Sequence, residues 1–409
     1  MDGSRASASS GFLDSPGPLR RYRAYLTLSA VIFCGFVGVG STSPFQPLYA
    51  ASLGASLGQV ALVTGTFSTV ALVAGLVWGR LADRLRRRKP FVVGAMAGLA
   101  LAQLAMAHAP SWEWLVPLRV LEGMASGAYQ VASLALMGDI LDGHPRRPQL
   151  ISGYRMSGSL AFSVAIVGSG WLAQTVGYQG SYVLAAVVYG IALLIALLIP
   201  EKPAETMETT GTAESRVAQA SFAGLLRGPL RPLLVLAMSY GLPFAAVYSV
   251  WPIWIANELE HGRAVFSQLW GLAAFVEVPC MLLAGVLISR LGRRWTFSLG
   301  LVSFALVFVA YAAAPPLPGL VAAQVLRGFA FAAFTATSLT MAIELAPADA
   351  RGRAAGLYQT ASSLAQISGG WIGGPLAAAI GFRSLFGLAA AAFVGAALYS
   401  QVALRRRHG

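Results

Sequence analysis

The chain has 409 residues, of which 56% are apolar and only 11% are charged. An ordinary soluble domain carries about 25% charged residues, so this composition excludes a soluble enzyme or binding module and leaves a polytopic membrane protein. The net charge of +13 does not point to nucleic acid, because the cations lie in alternate connections between long apolar runs, the asymmetry that the positive-inside rule gives a membrane protein.

In chain order, residues 1–23 are Ser- and Gly-rich at their start and are expected to form a disordered tail. They lack the short apolar stretch and cleavage site of a secretory signal. Apolar runs long enough to cross a bilayer, about 20 residues at 1.5 Å rise, then follow. They fall near 24–50, 58–79, 90–109, 113–137, 150–172 and 180–199, and again near 230–255, 265–288, 295–313, 317–343, 354–378 and 383–404. The expected fold class is therefore all-α, with twelve transmembrane helices in two pseudo-symmetric six-helix bundles. Residues 24–199 form the first bundle, the polar stretch 200–229 a linker, 230–404 the second bundle and 405–409 a short basic tail. Arg20, Arg21, Arg23, the run from Arg84 to Lys89, Arg146, Arg147, Arg290, Arg293, Arg294, Arg351, Arg353 and Arg405 to Arg407 all sit in alternate connections. The intervening connections hold only Arg263 and Arg383. By the positive-inside rule both termini and the linker are expected in the cytoplasm, with the chain integral to the cytoplasmic (inner) membrane.

The two halves repeat one another. Gly79 to Arg88 returns as Gly285 to Arg294, shifted by 206 residues; Pro47 returns as Pro252, Glu122-Gly123 as Arg327-Gly328 and Asp139 as Glu344, each shifted by 205; Gly170-Trp-Leu-Ala returns as Gly374-Pro-Leu-Ala, shifted by 204. Five matches in order at nearly constant offset indicate two similar halves joined head to tail. Parallel repeats of this kind suit a transporter, because two bundles rocking about a shared interface expose one central site to either side in turn.

The segment Gly79 to Arg88 resembles the signature loop between the second and third helices of the major facilitator superfamily, and its weaker copy stands where that family repeats it. The resemblance covers essentially the whole chain. It implies a conformational latch built on Gly79, Asp83, Arg84, Arg87, Asp139, Arg353, Arg290 and Glu344, in which Asp83 meets Arg353 and Arg84 or Arg87 meets Asp139. Arg86 in place of the usual Gly and Ser289 in place of the second Asp depart from the pattern, so the second-half latch is expected to be weaker. More locally, Pro252 to Leu259 and Glu277 to Gly285, with Arg155 and Ser159-Leu160-Ala161, are similar to the bacterial sugar efflux transporters.

Charges inside the spans each need a reason, since one at the bilayer midplane costs about 2.5–3.5 kcal/mol on insertion scales. Arg119 and Glu122 lie one turn apart on the fourth span and can pair. Glu277 lies two residues before Pro279, with no cation on its own helix, which makes it the leading proton-coupling residue; Glu122 is the second. Arg327 is the repeat mate of Glu122, so the two are expected to flank a central cavity from opposite walls. Arg119, Arg327 and Arg155 are candidate substrate-binding residues, together with Trp251, Trp254, Tyr248, Tyr358, Gln359 and Gln46, which offer rings and hydrogen-bonding groups. For any one of them, helix packing or interface anchoring is an equally good explanation.

Other signals are set aside. Gly54-Ala-Ser-Leu-Gly58 matches a nucleophile-elbow pattern but lies in a turn between helices, without the preceding strand that motif needs. The four His have no ligand spacing, no Walker-type loop exists, and the two Cys stand in apolar runs, so no metal, cofactor or enzymatic activity is expected. The expected partners are a small-molecule substrate, protons and membrane lipid, with no nucleic acid, and the chain is expected to act as a monomer. The expected function is a proton-coupled antiporter exporting sugars or related small polar molecules. The alternatives are a multidrug/proton antiporter or, from a different class, a transport-inactive membrane sensor.

Overall fold

A computed structural model describes residues 18–85, 87–141, 144, 146–200, 230–344 and 351–404. Some side chains within that range are outside the description, among them those of Asp83, Arg155, Glu344 and Arg353, so the Asp83–Arg353 latch and the site expected at Arg155 fall outside the described residues, as do most of the N-terminal tail, the linker from 201 to 229 and the tail from 405.

Twelve helices of 18 residues or more account for the described chain, six before the linker and six after it. In the first half they are α1 (Pro18–Thr42), α3 (Leu57–Leu85), α4 (Lys89–Ala107), α5 (Trp112–Ile140), α6 (Arg147–Thr175) and α7 (Tyr178–Leu197), with a short α2 (Gln46–Ser52). In the second half they are α8 (Arg231–Tyr248), α9 (Arg263–Leu291), α10 (Arg293–Ala313), α11 (Leu317–Glu344), α12 (Arg351–Ile380) and α13 (Phe382–Ala403). Ten of the twelve are apolar enough along a bilayer's thickness to be recognised as spans by hydropathy alone. The other two, α5 and α12, are diluted by Arg119, Glu122, Gln130 and Asp139 and by Gln359, Ser362, Ser363 and Gln366. Both of these helices contribute to the cavity described below.

The expected first and seventh spans are each broken near one end. After α1 the chain makes a 3-10 turn (Ser43–Phe45) and restarts as α2, with Pro47 in the first turn. After α8 it restarts at Trp251–Ile253, with Pro252 in the first turn, and widens into a π turn (Trp254–Glu258). Proline lacks the N–H that a continuing helix would donate and is tolerated only where a helix begins, so the repeated Pro47 and Pro252 set both breaks.

The connections divide into a basic end, which holds Arg84, Arg87, Arg88, Lys89, Arg146, Arg293 and Arg294, and a far end. At the far end the turns into α7 and α13 rest on Gly177 (φ 95°, ψ 173°) and Gly381 (φ 81°, ψ 160°), 204 residues apart. Only glycine enters that backbone region without strain.

Within the first half α1 packs on α6 and α7, α3 on α5, and α4 on α5 and α7; within the second, α8 packs on α12, α10 on α11 and α13, and α9 on α11. The halves meet along two seams, α3 with α12 and α6 with α9. Buried apolar side chains form two clusters. The larger is continuous across both halves toward the far end, from Phe45, Tyr49, Val60 and Ile166 to Trp251, Phe266 and Phe386. The smaller, including Leu28, Val92, Met137 and Ala192, holds only first-half residues on the basic side.

Replacing Gly177 or Gly381 by Ala is expected to cost about 1–3 kcal/mol through backbone strain. Thermal unfolding in detergent would show it as a lowered Tm for each variant, and an unchanged Tm in both would remove the turn argument.

Candidate functional site

A cavity of about 690 Å³ lies between the two halves, in the space bounded by α3, α5, α8 and α12. Its polar wall is made by Thr64 and Ser68 of α3, Gln130 of α5, Ser249 just past α8, and Gln359, Ser363 and Gln366 of α12. The spacings 64/68 and 359/363/366 are helical, so each helix turns a single polar stripe to the cavity. Ala71, Leu72, Leu76, Val131 and Ile367 supply the apolar remainder, and no ionisable side chain lines the wall among the described residues. Hydroxyls and amides set among methyl groups recognise a neutral molecule rich in hydrogen-bonding groups.

Arg119 and Glu122, the charged pair within the fourth span, are buried inside the first half. Arg119 donates from Nη1 to Glu122 Oε2 one turn on, and Gln103 of α4 donates from Nε2 to Glu122 Oε1 at 3.0 Å. The Arg119 guanidinium also lies 4.2 Å above the Phe67 ring of α3. Gln46 of α2 accepts a hydrogen bond from the Tyr182 hydroxyl of α7. All four polar side chains are almost fully excluded from solvent, and Gln46 Nε2, Gln103 Oε1 and Arg119 Nε retain unmet hydrogen-bonding capacity.

The second half answers with different chemistry at the same positions. Arg119 and Glu122 have as repeat mates Gln324 and Arg327, each 205 residues on. Arg327 Nη1 donates to Gln324 Oε1 at 2.9 Å, Gln324 Nε2 donates to the Tyr311 hydroxyl at 2.6 Å, and the Tyr311 and Tyr248 hydroxyls are 3.4 Å apart. Instead of a carboxylate, two ring faces serve the cation: its guanidinium carbon is 4.7 Å from the centroid of Tyr248 and 4.8 Å from that of Trp270. Glu277 of α9 is partly buried and forms no hydrogen bond or ion pair among the described residues. The cation that acts on it electrostatically is Arg327.

One register places both charged positions. Gly123, next to Glu122, faces α3 so closely that a Cβ would meet the Phe67 carbonyl oxygen and Val70 Cβ, both at 3.0 Å. Gly328, next to Arg327, faces α9 the same way, with the Ala273 carbonyl oxygen at 2.7 Å and Val276 Cβ at 3.0 Å. The facing pairs Phe67/Ala273 and Val70/Val276 are each 206 residues apart. The repeat seen in the sequence is therefore a repeat in atomic contact.

The basic end is tied within its own half. Arg88 pairs with Asp139 and donates to the Ala135 carbonyl at 2.7 Å, and Lys89 donates to the Leu197 carbonyl at 2.8 Å at the end of α7. The cation on Asp139 is thus Arg88, whereas the sequence placed Arg84 or Arg87 there; both of those are exposed, as is Arg290. Arg88 stands at the N-cap of α4, one residue from the start of the helix, which gives it the reach to the last turns of α5. Gly79 brings α3 against α5, its Cβ position 3.3 Å from Val131.

At the far end the halves are locked together by matching glycines. A Cβ on Gly374 of α12 would overlap the Leu57 carbonyl oxygen and crowd Ala61 on α3; one on Gly170 of α6 would overlap Ser267 and approach the Arg263 carbonyl oxygen on α9. Nearer mid-depth, Trp371 Nε1 donates to Thr69 Oγ1 at 3.1 Å across the same α3/α12 seam. The structure is closed at the far end.

Of the residues expected to bind substrate, Gln359 reaches the cavity. Trp251, Trp254, Tyr248 and Tyr358 are buried, and the first three belong to an aromatic core in which Trp251 packs at tilted or edge-on angles against Phe266, Trp270 and Tyr311, and Trp254 edge-on against Phe386. Arg119, Glu122, Arg327 and Gln46 take their partners from their own halves, and none lines the cavity. The sequence reasoning did not single out Thr64, Ser68, Gln130 or Gln103. Their signal was a polar residue within an apolar helix, which is common enough in membrane helices to pass unnoticed.

The sequence matches the Major Facilitator Superfamily twice, over residues 28–244 and 233–409. A protein of Deinococcus radiodurans named as a sugar efflux transporter is 31% identical over 380 residues, covering 90% of this chain and 94% of that protein. A multi-drug resistance efflux pump PmrA homolog of Lactococcus lactis is 28% identical, covering 90% of each chain. Among solved structures, a nucleoside transporter NupG mutant aligns over 93% of this chain and 99% of its own, with TM-score 0.81 and 15% identity, a likeness of fold.

The Arg119–Glu122 pair generates a sharp expectation. Glu122→Gln alone strands a buried cation and should destabilise the protein by about 3–5 kcal/mol, and the Arg119→Gln/Glu122→Gln double change should recover most of it. Yield of monodisperse protein and Tm across the four members of the cycle measure the coupling; additive losses would show that the pair does not act as one unit.

Proposed function

The chain belongs to the Major Facilitator Superfamily, and we propose that it works by alternating access as a proton-driven antiporter that exports sugars or related small neutral molecules. The cavity wall carries this reading: seven hydroxyl and amide side chains contributed by both halves, with no charge among them. A neutral polyol matches such a wall, whereas an ionised substrate would enter it without a counter-charge. The similarity to a protein named as a sugar efflux transporter supports the same class. The Arg-rich loops support a cytoplasmic basic end, linker and termini by the positive-inside rule, and with that orientation the far-end closure would correspond to an inward-facing state.

Glu277 is the proposed proton carrier. Its support is a carboxyl on a membrane-embedded helix with no bonded partner among the described residues, standing two positions before Pro279, where α9 lacks one backbone hydrogen bond. Asp83 and Arg353, by the family resemblance, form the cytoplasmic latch that steadies the opposite state. A multidrug exporter is the second reading. The apolar share of the wall and the similarity to the efflux pump homolog support it.

Two measurements test the proposal. Gln359→Leu removes one hydrogen-bonding side chain from the cavity and should weaken a transported sugar by about threefold to tenfold, the worth of one such bond. Unchanged sugar affinity together with altered export of lipophilic cations would favour the multidrug reading. Glu277→Gln should abolish transport driven by a pH gradient in everted vesicles while leaving substrate exchange intact; undiminished gradient-driven transport would remove Glu277 as the carrier.

A further inference from the structure

Arg263 and Arg383 are the two cations that break the charge asymmetry of the connections. Arg263 begins α9, where the positive end of its own helix dipole disfavours a cation. Its partners lie across the seam. Nη1 donates to the Ala173 carbonyl at 2.7 Å, in the last turn of α6, where unpaired carbonyls form the negative end of that helix. The guanidinium also lies 4.0 Å over the Tyr178 ring at the start of α7. Both partners belong to the first half and Arg263 to the second.

The other seam has the same backbone seat without this side chain. Gly374 sits on the Leu57 carbonyl as Gly170 sits near the Arg263 carbonyl, and Leu57 is the residue 206 positions before Arg263. The far end is thus packed on both sides and strapped by charge on one.

We infer that Arg263 is a cross-half latch that holds the far end closed, and that its bonds to the α6–α7 corner set the share of molecules closed at that end. Separation of α6 from α9 removes the helix-terminus bond and the ring contact together, because both reach the same corner. The latch therefore acts on the conformational equilibrium whatever molecule is carried, and its failure would leave the substrate reading untouched.

Spin labels at the exposed positions Gln179 and Leu317, one in each half at the far end, report that equilibrium by double electron–electron resonance in a protein lacking Cys34 and Cys280. Arg263→Gln should raise the long-distance, far-end-open population on the order of tenfold, as expected for loss of a charge-assisted bond. Tyr178→Leu should shift it in the same direction, Tyr178→Phe should not, since the ring remains, and Arg263→Lys should fall between wild type and Arg263→Gln. If Arg263→Gln does not yield folded protein, Arg263→Lys and Tyr178→Leu decide. Distance distributions identical to wild type in the Tyr178→Leu variant and in whichever Arg263 variants fold would overturn the latch.

Discussion

Close backbone contact at glycine is the constraint on which the rest of the structure depends. In lipid, two apolar helices gain little by hiding from their surroundings, so association depends on how near the backbones can come. Gly123 and Gly328 bring α5 onto α3 and α11 onto α9, which fixes where Glu122 and Arg327 stand. Gly170 and Gly374 bring the halves together at the far end. The first pair builds each half and the second closes one half on the other. A methyl group at the first pair would displace a neighbouring helix inside a half; at the second pair it would hold the halves apart. The same device therefore serves architecture in one place and conformational state in another.

The two halves resolve the problem of buried charge differently. In the first half, Arg119 and Glu122 neutralise one another, and Gln103 occupies one remaining carboxylate lone pair. In the second half the repeat positions hold Gln324 and Arg327, so the cation has an amide, two ring faces and, farther off, Glu277. Removing either member of the first pair would leave a buried charge uncompensated, whereas Glu277 has no bonded partner to lose among the described residues. The asymmetry separates a carboxylate paired on its own helix from one without a bonded partner among the described residues.

The gross organisation was legible in the sequence because its signals are long: apolar runs of bilayer length, loop charges that alternate, and repeats at a constant offset. The breaks in the first and seventh spans are legible in Pro47 and Pro252, since a proline late in an apolar run marks a helix restart. Side-chain partners were less legible. Asp139 meets Arg88 and not Arg84 or Arg87, since the partner depends on where α3 ends and α4 begins, and helix ends are the least certain feature of a sequence reading. Glu122 and Arg327 were expected to flank a central cavity from opposite walls; neither lines the cavity described above, and each takes partners on its own helix and neighbouring ones. The offset fixes their depth, but the direction in which a side chain points depends on the local twist of the helix and on glycine contacts that no offset records. The aromatic residues Trp251 and Trp254 were visible as a cluster, yet burial against Phe266, Tyr311 and Phe386 requires knowing which distant helices surround them.

The separation of cavity and charge constrains how transport could be driven. The cavity wall is drawn from α3, α5, α8 and α12, whereas Glu277 lies on α9 beside α11. A proton at Glu277 would not compete with a substrate for the same atoms. It could act only by changing how α9 sits, and α9 is the second-half member of the seam with α6, where Ser267 meets Gly170 and Arg263 meets Ala173 and Tyr178. On the proposed reading, neutralising Glu277 would remove its attraction to Arg327 of α11, on a helix that lacks one backbone hydrogen bond at Pro279. On the proposed reading, the path from proton to far-end closure would run along one helix, and the polar cavity would need no ionisable group of its own.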